Sequence, residues 1–262
     1  MSEKQIDVAI KRLQATEPEE GYYLAFSGGK DSCVLKALAD MAGVKYDAHY
    51  SNTGIDPPEL VRFIKQEHPD VIFDTPRDKD GNRITMWSLI PKKRMPPTRL
   101  VRYCCEALKE TGGYGRFVLT GVRWDESTRR KNTRHLLEEQ GKRGRPIFST
   151  DNVEDAPMFK FCYANRKRIL NPIIDWTTEE VWDFIREYNI PYCELYDQGV
   201  TRLGCIGCPM GGVHRKEEFA RYPKYEQLYL QAFERMLEAR RERGLETQWT
   251  SADEVMKWWM KQ

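Results

Sequence analysis

Four cysteines stand in two pairs whose spacing is typical of metal ligation. Cys104 and Cys105 are adjacent, and much later in the chain Cys205 and Cys208 form a CxxC motif. Four thiolates from two separated turns can surround one iron–sulfur cluster. Zinc uses the same half-site and the same tetrahedral sulfur coordination, and unligated thiols are the third alternative. Adjacent thiolates reach different irons of a cluster more easily than one small ion, so we expect a [4Fe–4S] cluster on these four residues.

A glycine-rich segment, SGGKDS at residues 27–32, has the composition of an anion-binding turn. Its glycines let backbone N–H groups approach an anion, and the start of a following helix adds positive potential. The segment lacks the GxxxxGKS spacing of a P-loop kinase. It suits a pyrophosphate group, and an ordinary glycine turn with a helix cap is the alternative.

The elements around these motifs alternate between strand and helix. Apolar runs predict strands at Tyr22–Phe26, Tyr46–Tyr50, Val71–Phe73, Phe117–Thr120 and Ile169–Ile174. Such alternation favours an α/β fold with a largely parallel sheet covered on both faces. Thr177 and Glu180 have the spacing of a capping box and predict a helix start. An apolar stripe predicts a last long helix from about Pro223 to near Gly244. The charge-rich stretch from Arg123 to Asp155 is interpreted as a surface excursion.

The composition excludes several classes of protein. The chain has 262 residues, of which 40% are hydrophobic and 31% charged, so it is neither disordered nor collagen-like. No apolar run approaches the roughly 20 residues of a membrane span. The N-terminus lacks the apolar core of a secretory signal, so we expect a cytoplasmic protein without a membrane partner, whose seven cysteines are not disulfides. Cys33, Cys162 and Cys193 are interpreted as packing residues, although Cys162 lies in a basic loop and could be a reactive thiol.

The net charge is close to balanced, at +2. Residues Arg123 to Arg145 hold eight basic and four acidic side chains, a local net charge of +4. A nucleic-acid or partner-binding module with a vestigial nucleotide site is therefore a hypothesis of a different class, although a charge run is more often a solvated surface.

Several motifs, in order along the chain, resemble the phosphoadenosine-phosphosulfate reductase family over roughly Tyr22 to Gly212. SGGKDS resembles the PP-loop of the adenine-nucleotide alpha-hydrolase superfamily, and the cysteine set is similar to that of cluster-bearing adenylyl-sulfate reductases. The other matching segments are Asn52-Thr53-Gly54, Thr120-Gly121-Val122-Arg123 with Glu126, Ser127 and Arg129, Asn171-Pro172-Ile173-Ile174-Asp175-Trp176, and Val181-Trp182.

The resemblance implies a doubly wound, Rossmann-like sheet with nucleotide at the strand C-termini. It implies nucleotide ligands at Ser27, Gly28, Gly29, Asp31, Ser32, Thr53, Gly54, Gly121, Arg123 and Arg129. Lys30, Asp31 and Arg123 would be the catalytic residues. Lys30 would be a nearby cation, Asp31 could hold Mg²⁺ or orient the loop, and the guanidinium of Arg123 would hold a terminal phosphate or sulfate. A surface ion pair is the alternative role for Arg123.

Two departures from the reductases favour ATP. Their nucleophilic cysteine lies in a short C-terminal motif, whereas the last cysteine here is Cys208, and their loop is usually degraded while SGGKDS is intact. We therefore expect ATP-pyrophosphatase-type adenylation coupled to sulfur transfer. The alternative is a sulfonucleotide reductase that releases sulfite from adenylyl sulfate or its 3′-phosphorylated form, with the accepting thiol supplied by Cys162 or another chain.

The resemblance also carries expectations about organisation and partners. A nucleotide-binding domain with the iron–sulfur site would span residues 1–212, and a helical C-terminal extension would span residues 213–262. A sulfur or electron donor protein, a nucleic-acid acceptor and a homo-oligomer are expected as partners.

Overall fold

A computed structural model describes residues 3–141, 146–155 and 166–262, and the chain divides into two compact units. The first comprises Met1–Ser51, Glu59–Asp74 and Gly112–Leu203, and the second comprises Asn52–Pro58, Thr75–Thr111 and Gly204–Gln262. The sequence predicts one boundary after Gly212, whereas the second unit also takes in segments from earlier in the chain. These segments belong there because Ile55, Met86 and Ile90 share a buried core with Phe233 of the C-terminal part.

The first unit is built on a seven-stranded sheet. Its strands are β1 (Tyr22–Ala25), β2 (Tyr46–Ser51), β3 (Ile72–Asp74), β4 (Phe117–Leu119), β5 (Leu137–Gln140), β6 (Pro146–Thr150) and β7 (Lys167–Leu170). Their order is β3-β2-β1-β4-β7-β5-β6. The pairs from β3 to β7 are parallel, whereas β5 pairs antiparallel with both β7 and β6. The prediction of a mainly parallel α/β sheet is confirmed, and the five predicted strands lie within a few residues of β1, β2, β3, β4 and β7.

The helices of the described residues are α1 (Glu3–Thr16), α2 (Lys30–Ala42), α3 (Pro58–Glu67), α4 (Met86–Lys93), α5 (Tyr103–Leu108), α6 (Thr128–Thr133), α7 (Thr178–Glu187), α8 (Arg215–Arg221), α9 (Pro223–Arg241) and α10 (Ala252–Trp259). The predicted capping box is present, since the hydroxyl of Thr177 accepts from the Glu180 N–H and the Glu180 carboxylate accepts from the Thr177 N–H. Helix α9 matches the predicted last long helix, apart from its end at Arg241. None of these helices has both the length and the apolar character to cross a membrane.

The interpretation of Arg123–Asp155 as a surface excursion is wrong in part, because the segment adds buried residues to the sheet as well as exposed ones. The segment contains a 3-10 turn at Trp124–Glu126, then α6, β5 and β6. Strand β5 is fixed by the fully buried Leu137 and by hydrogen bonding to β7, a contact between residues far apart in sequence. Residues 142–145 and 156–165, which include Cys162, lie outside the described residues.

The second unit is helical, and aromatic and methionine side chains make up half of its buried core. Tyr229, Phe233 and Met236 of α9 are fully buried, as is Trp259 of α10. The ring of Trp259 contacts those of Tyr229 and Phe233, with centroids 4.7 and 5.3 Å away. Cys104 and Cys205 pack against this same core.

Candidate functional site

The SGGKDS segment lies where a parallel sheet places its ligands. It follows the carboxyl end of β1 and opens α2, with Gly29 as the residue before the first helical turn. Strand β4 lies beside β1, while the chain passes from β1 to β2 on the other side. The strand order therefore reverses next to β1, and open α/β sheets bind nucleotides at such a point.

Hydrogen bonds between two serines hold the turn. The Ser32 hydroxyl donates to the Gly29 carbonyl at 2.8 Å and accepts from the Ser27 N–H at 3.2 Å. The Ser27 hydroxyl lies 3.3 Å from the Ser32 hydroxyl. Gly28 has a φ of +72°, and a Cβ there would lie 2.7 Å from the side chains of Leu60 and Ile64 in α3. Glycine is therefore required for both backbone conformation and space.

Tyr196 contacts the same turn, although no sequence motif predicted that contact. Its hydroxyl accepts from the Lys30 N–H at 3.0 Å, and the Lys30 ammonium lies 5.8 Å from its ring centroid. Burial raises the pKa of Tyr196, so the phenol stays protonated. The Lys30 N–H at the start of α2 therefore already has a neutral acceptor, the Tyr196 hydroxyl.

Gly121 brings the loop after β4 against the start of α2. A Cβ at Gly121 would lie 2.9 Å from the Asp31 carbonyl oxygen, so no larger residue fits without a shift. The Asp31 carboxylate accepts from Arg123 Nε at 2.7 Å and from Lys30 Nζ at 3.2 Å. The predicted residues Lys30, Asp31, Gly121 and Arg123 are therefore brought together in the first unit.

Arg123 is almost completely buried, with 1% of its side chain exposed. Besides Asp31, its guanidinium donates to the Trp176 carbonyl at 3.1 Å and to the Thr178 hydroxyl at 3.3 Å. It also lies 3.5 Å from Asp125. A direct contact with phosphate would require this side chain to leave those partners.

A second arginine near Asp31 is more open. Arg130 pairs with Glu126 and is partly exposed, whereas the neighbouring Arg129 is exposed on α6. Burial lowers the pKa of Arg130 to about 10, and the positive charges of Arg134 and Arg202 act in the same direction. These arginines therefore form a region of positive potential beside the loop, suited to an anion.

The two cysteine pairs lie together in the second unit. Cys104 is at the start of α5 next to Cys105, and the CxxC motif leads into the turn before α8. The hydrogen bond between the adjacent thiols raises the pKa of Cys104, and the charges of Cys205 and Cys208 raise it further. The same hydrogen bond lowers the pKa of Cys105 to about 6. The charges of the other three cysteines therefore all act on Cys104.

Charged and aromatic groups surround these thiols. Burial raises the pKa of Cys205 to about 12, and the negative charge of Asp56 adds to the effect while Lys109 opposes it. The hydroxyl of the buried Tyr229 donates to the Ile206 carbonyl, at 3.1 Å. Within the described ranges, no three His, Cys, Asp or Glu side chains are arranged as a metal site.

The donor set nevertheless fits a cluster in chemistry and in setting. It consists of four thiols in one unit, and two nitrogens of the buried Arg215, Nε and Nη2, have no acceptor among the described residues. Gly207 inside the CxxC motif has a φ of +71°, and a Cβ there would lie 2.6 Å from the Phe219 ring. The turn is thus tightly fixed, and two nitrogens of a buried cation have no hydrogen-bond acceptor among the described residues.

Thr53 and Gly54 lie in the second unit. The Thr53 hydroxyl donates to Asp56 at 2.6 Å, and the Cys205 sulfur lies 3.9 Å from it. A Cβ at Gly54 would lie 3.1 Å from Arg83. Their roles as nucleotide ligands stay predictions. Tyr196, Lys109 and Arg215 were missed because single residues outside a motif carry no sequence signal.

Comparison with known families agrees with the motifs. The model of the phosphoadenosine phosphosulfate reductase domain matches residues 21–211. This chain therefore belongs to the phosphoadenosine phosphosulfate reductase domain family.

Individual relatives are moderately similar. An adenosine 5′-phosphosulfate reductase of Pseudomonas aeruginosa is 30% identical over 199 residues, which are 71% of this chain and 65% of that protein. An uncharacterized protein of Methanocaldococcus jannaschii is 29% identical over 192 residues, which are 71% of this chain and 40% of that protein. The chain thus matches less than two thirds of either relative's length. Among solved structures, the phosphoadenylyl-sulfate reductase of Candida auris has a TM-score of 0.48 at 16% identity, covering 78% of this chain and 96% of that one.

Proposed function

We propose that the chain binds ATP at the SGGKDS loop and transfers its adenylyl group to an acceptor, as a step in sulfur transfer. The observation that carries this proposal is the intact loop between β1 and α2, braced by Ser32 and Asp31 at the point where strand order reverses. Glycines and a helix start present backbone N–H groups there, as pyrophosphate binding requires.

The reaction would be in-line attack on the α-phosphate, with pyrophosphate as the leaving group. The backbone and hydroxyls of the loop would hold the pyrophosphate, and Lys30 with the arginines of the α6 region would stabilise the developing charge. The carboxylate of Asp31 accepts from two cations, Arg123 and Lys30, which supports a positioning role over that of a Mg²⁺ ligand. Its role in this proposal is to fix Lys30 and Arg123 relative to the loop.

Cys104, Cys105, Cys205 and Cys208 would hold a [4Fe–4S] cluster in the second unit. When bound, such a cluster supplies electrons or an iron site for sulfur. A separate protein would deliver the sulfur or the electrons. A nucleic-acid acceptor and a homo-oligomer stay predictions.

Sulfonucleotide reduction is the second candidate. It is favoured by the family and by the Pseudomonas aeruginosa relative, an adenosine 5′-phosphosulfate reductase. The nucleotide loop would then hold adenylyl sulfate instead of ATP, and the reaction would release sulfite.

Product analysis separates the two candidates. Anaerobically purified protein is incubated with ATP and candidate acceptors. In parallel reactions it is incubated with adenylyl sulfate, or with its 3′-phosphorylated form, together with a thiol reductant. Pyrophosphate and sulfite are assayed in every reaction. We expect pyrophosphate from ATP, lost in Asp31→Ala and kept in Asp40→Ala, an exposed aspartate of the same helix. Sulfite from adenylyl sulfate without pyrophosphate from ATP would reverse the order of the candidates.

Metal analysis tests the cluster separately. We expect about four irons and four sulfides per chain, lost in Cys208→Ser. Cys193→Ala, which changes a buried cysteine of the first unit, is the matched control. One zinc per chain without iron would contradict the cluster.

A further inference from the structure

Arg215 is the first residue of α8 and is buried in the second unit, with 1% exposed. Its Nη1 donates to the Trp259 carbonyl at 2.9 Å, and its guanidinium lies over the Trp259 ring at 4.1 Å. A Cβ at Gly211 would lie 3.2 Å from Arg215 Cγ, so the turn after the CxxC motif closes tightly around the side chain. Arg215 is therefore held in one place by contacts on several sides.

These contacts satisfy only part of the guanidinium. Nε and Nη2 are buried, and neither has an acceptor among the described residues. A charged group that is taken out of water without a partner is strongly unfavourable. A fully buried arginine with two unused donors thus indicates that an anion belongs beside it.

The contacts of Arg215 and its helix place it beside the CxxC turn. Gly211, three residues after Cys208, lies directly against the Arg215 side chain. One Glu218 carboxylate oxygen accepts from the Gly207 N–H at 2.7 Å, inside the CxxC motif. Tyr229 is a buried phenol whose hydroxyl donates to the Ile206 carbonyl. Of these groups, Cys208 is the one that becomes part of a larger anion when it ligates a metal cluster.

We propose that Arg215 is the counter-charge of the four-cysteine site, donating from Nε and Nη2 to sulfur of the bound cluster and raising its reduction potential. This inference rests on the proposed cluster. A [4Fe–4S] cluster with four thiolates carries a net charge of about −2 in its oxidised form and gains one electron on reduction. A fixed buried cation stabilises the more negative, reduced form more strongly, and N–H donors to sulfur act in the same direction.

The proposal predicts opposite effects of one substitution in the two states of the protein. Arg215→Met removes the charge and both unused donors but keeps an unbranched apolar side chain. In cluster-free protein the orphaned donors and the buried charge disappear, which offsets the loss of the Nη1 bond to the Trp259 carbonyl, so we expect an unfolding temperature equal to or above that of the wild type. In cluster-loaded protein the counter-charge disappears, so we expect a lower unfolding temperature and a lower midpoint potential.

The experiment compares wild type, Arg215→Met, Arg215→Lys and Arg221→Met, all prepared anaerobically with and without reconstituted cluster. Arg221 is an exposed arginine of the same helix and controls for net charge. Iron and sulfide are counted, midpoint potentials are measured by dithionite titration, and both forms are melted. At a fixed potential we expect Arg215→Met to lower the ratio of reduced to oxidised cluster at least tenfold, a shift of 59 mV. Arg215→Lys should be intermediate, and Arg221→Met should match the wild type.

The outcomes separate this inference from the proposed cluster. Wild type without iron would overturn both. Wild type with a full cluster, but with equal potentials in the wild type and both Arg215 variants, would overturn the counter-charge alone. Destabilisation of the cluster-free and loaded forms by equal amounts would also overturn it, because a side chain that acts only through Trp259 would have that effect. If Arg215→Met takes up no cluster, the midpoint potential of Arg215→Lys decides: a potential below that of the wild type supports the counter-charge, and an equal potential overturns it.

Discussion

Replacing Arg123 with methionine separates a structural brace from a phosphate ligand. In the structure its guanidinium joins Asp31 to Trp176 and Thr178, which connects the start of α2 to the start of α7. The substitution leaves the carboxylate of Asp31 without its Nε partner and the Trp176 carbonyl without this donor. We therefore expect a loss of stability even when no nucleotide is present.

The magnitude follows from the burial of the two partners. Breaking a fully buried ion pair by removing one side costs about 3–5 kcal/mol. The Asp31 side chain is 21% exposed, so water recovers part of the loss, and the lower end of that range, about 3 kcal/mol, is expected. For a protein of this size, that corresponds to a fall of about 6–12 °C in unfolding temperature. Arg123→Lys should lose somewhat less, because an ammonium keeps the charge but cannot donate to three separated acceptors at once.

The assay is thermal unfolding of ligand-free protein, followed by titration with ATP. Arg129→Met, which changes an exposed arginine of α6, is the control and should change stability by less than about 0.5 kcal/mol. Arg123→Met should combine lower stability with weaker ATP binding, because the loop loses its brace. An unchanged unfolding temperature together with lost ATP binding would refute the brace and favour a direct phosphate contact.

Three further measurements test the loop and the packing beside it. Gly28→Ala should destabilise the protein by about 2–4 kcal/mol. Gly43 is also at positive φ, but a Cβ there would meet no atom of the described residues within 4 Å, so Gly43→Ala should cost only about 1 kcal/mol of stability. Equal losses of stability would contradict the steric argument. Burial lowers the pKa of His68 below its ordinary value of 6.5 in the folded protein. The neutral imidazole therefore stabilises the folded state fully above pH 6.5, and this stabilisation declines as the pH falls towards the pKa of the folded state. Parallel profiles of stability against pH for the wild type and His68→Phe would contradict this. Tyr196→Phe removes the acceptor of the Lys30 N–H and should lower stability by about 1 kcal/mol, as chemical denaturation can show, whereas unchanged stability would mean that water replaces the phenol.

The parts of the fold that the sequence predicted are those set by local patterns. The apolar run Tyr22–Phe26 and the glycines after it were sufficient to predict β1, the turn and α2. The Thr177 capping box likewise marks a helix start, because both of its hydrogen bonds form within one turn. In such places the residues that decide the structure are neighbours along the chain.

The parts that were not predicted depend on contacts between distant segments. Strand β5 has few apolar residues, and its place in the sheet depends on pairing with β7. The second unit takes Ile55 and Met86 into the core of the C-terminal helices, which no composition shift marks. Tyr196 reaches the loop through a single hydroxyl. A sequence shows the types of these residues but not the neighbours that give them a role.

Two buried arginines show how such neighbours decide function. Arg123 and Arg215 are both about 1% exposed, so each must have its charge compensated inside the protein. Nε, Nη1 and Nη2 of Arg123 all donate to side-chain or carbonyl oxygens, and its charge is paired with Asp31, so each of its nitrogens has a partner without a ligand. Arg215 has an acceptor for Nη1 only, and two of its nitrogens face no oxygen of the described residues. The same side chain therefore gives opposite expectations. We expect loss of Arg123 to weaken the protein whether or not nucleotide is bound, and loss of Arg215 to weaken it only when the four cysteines hold the proposed cluster.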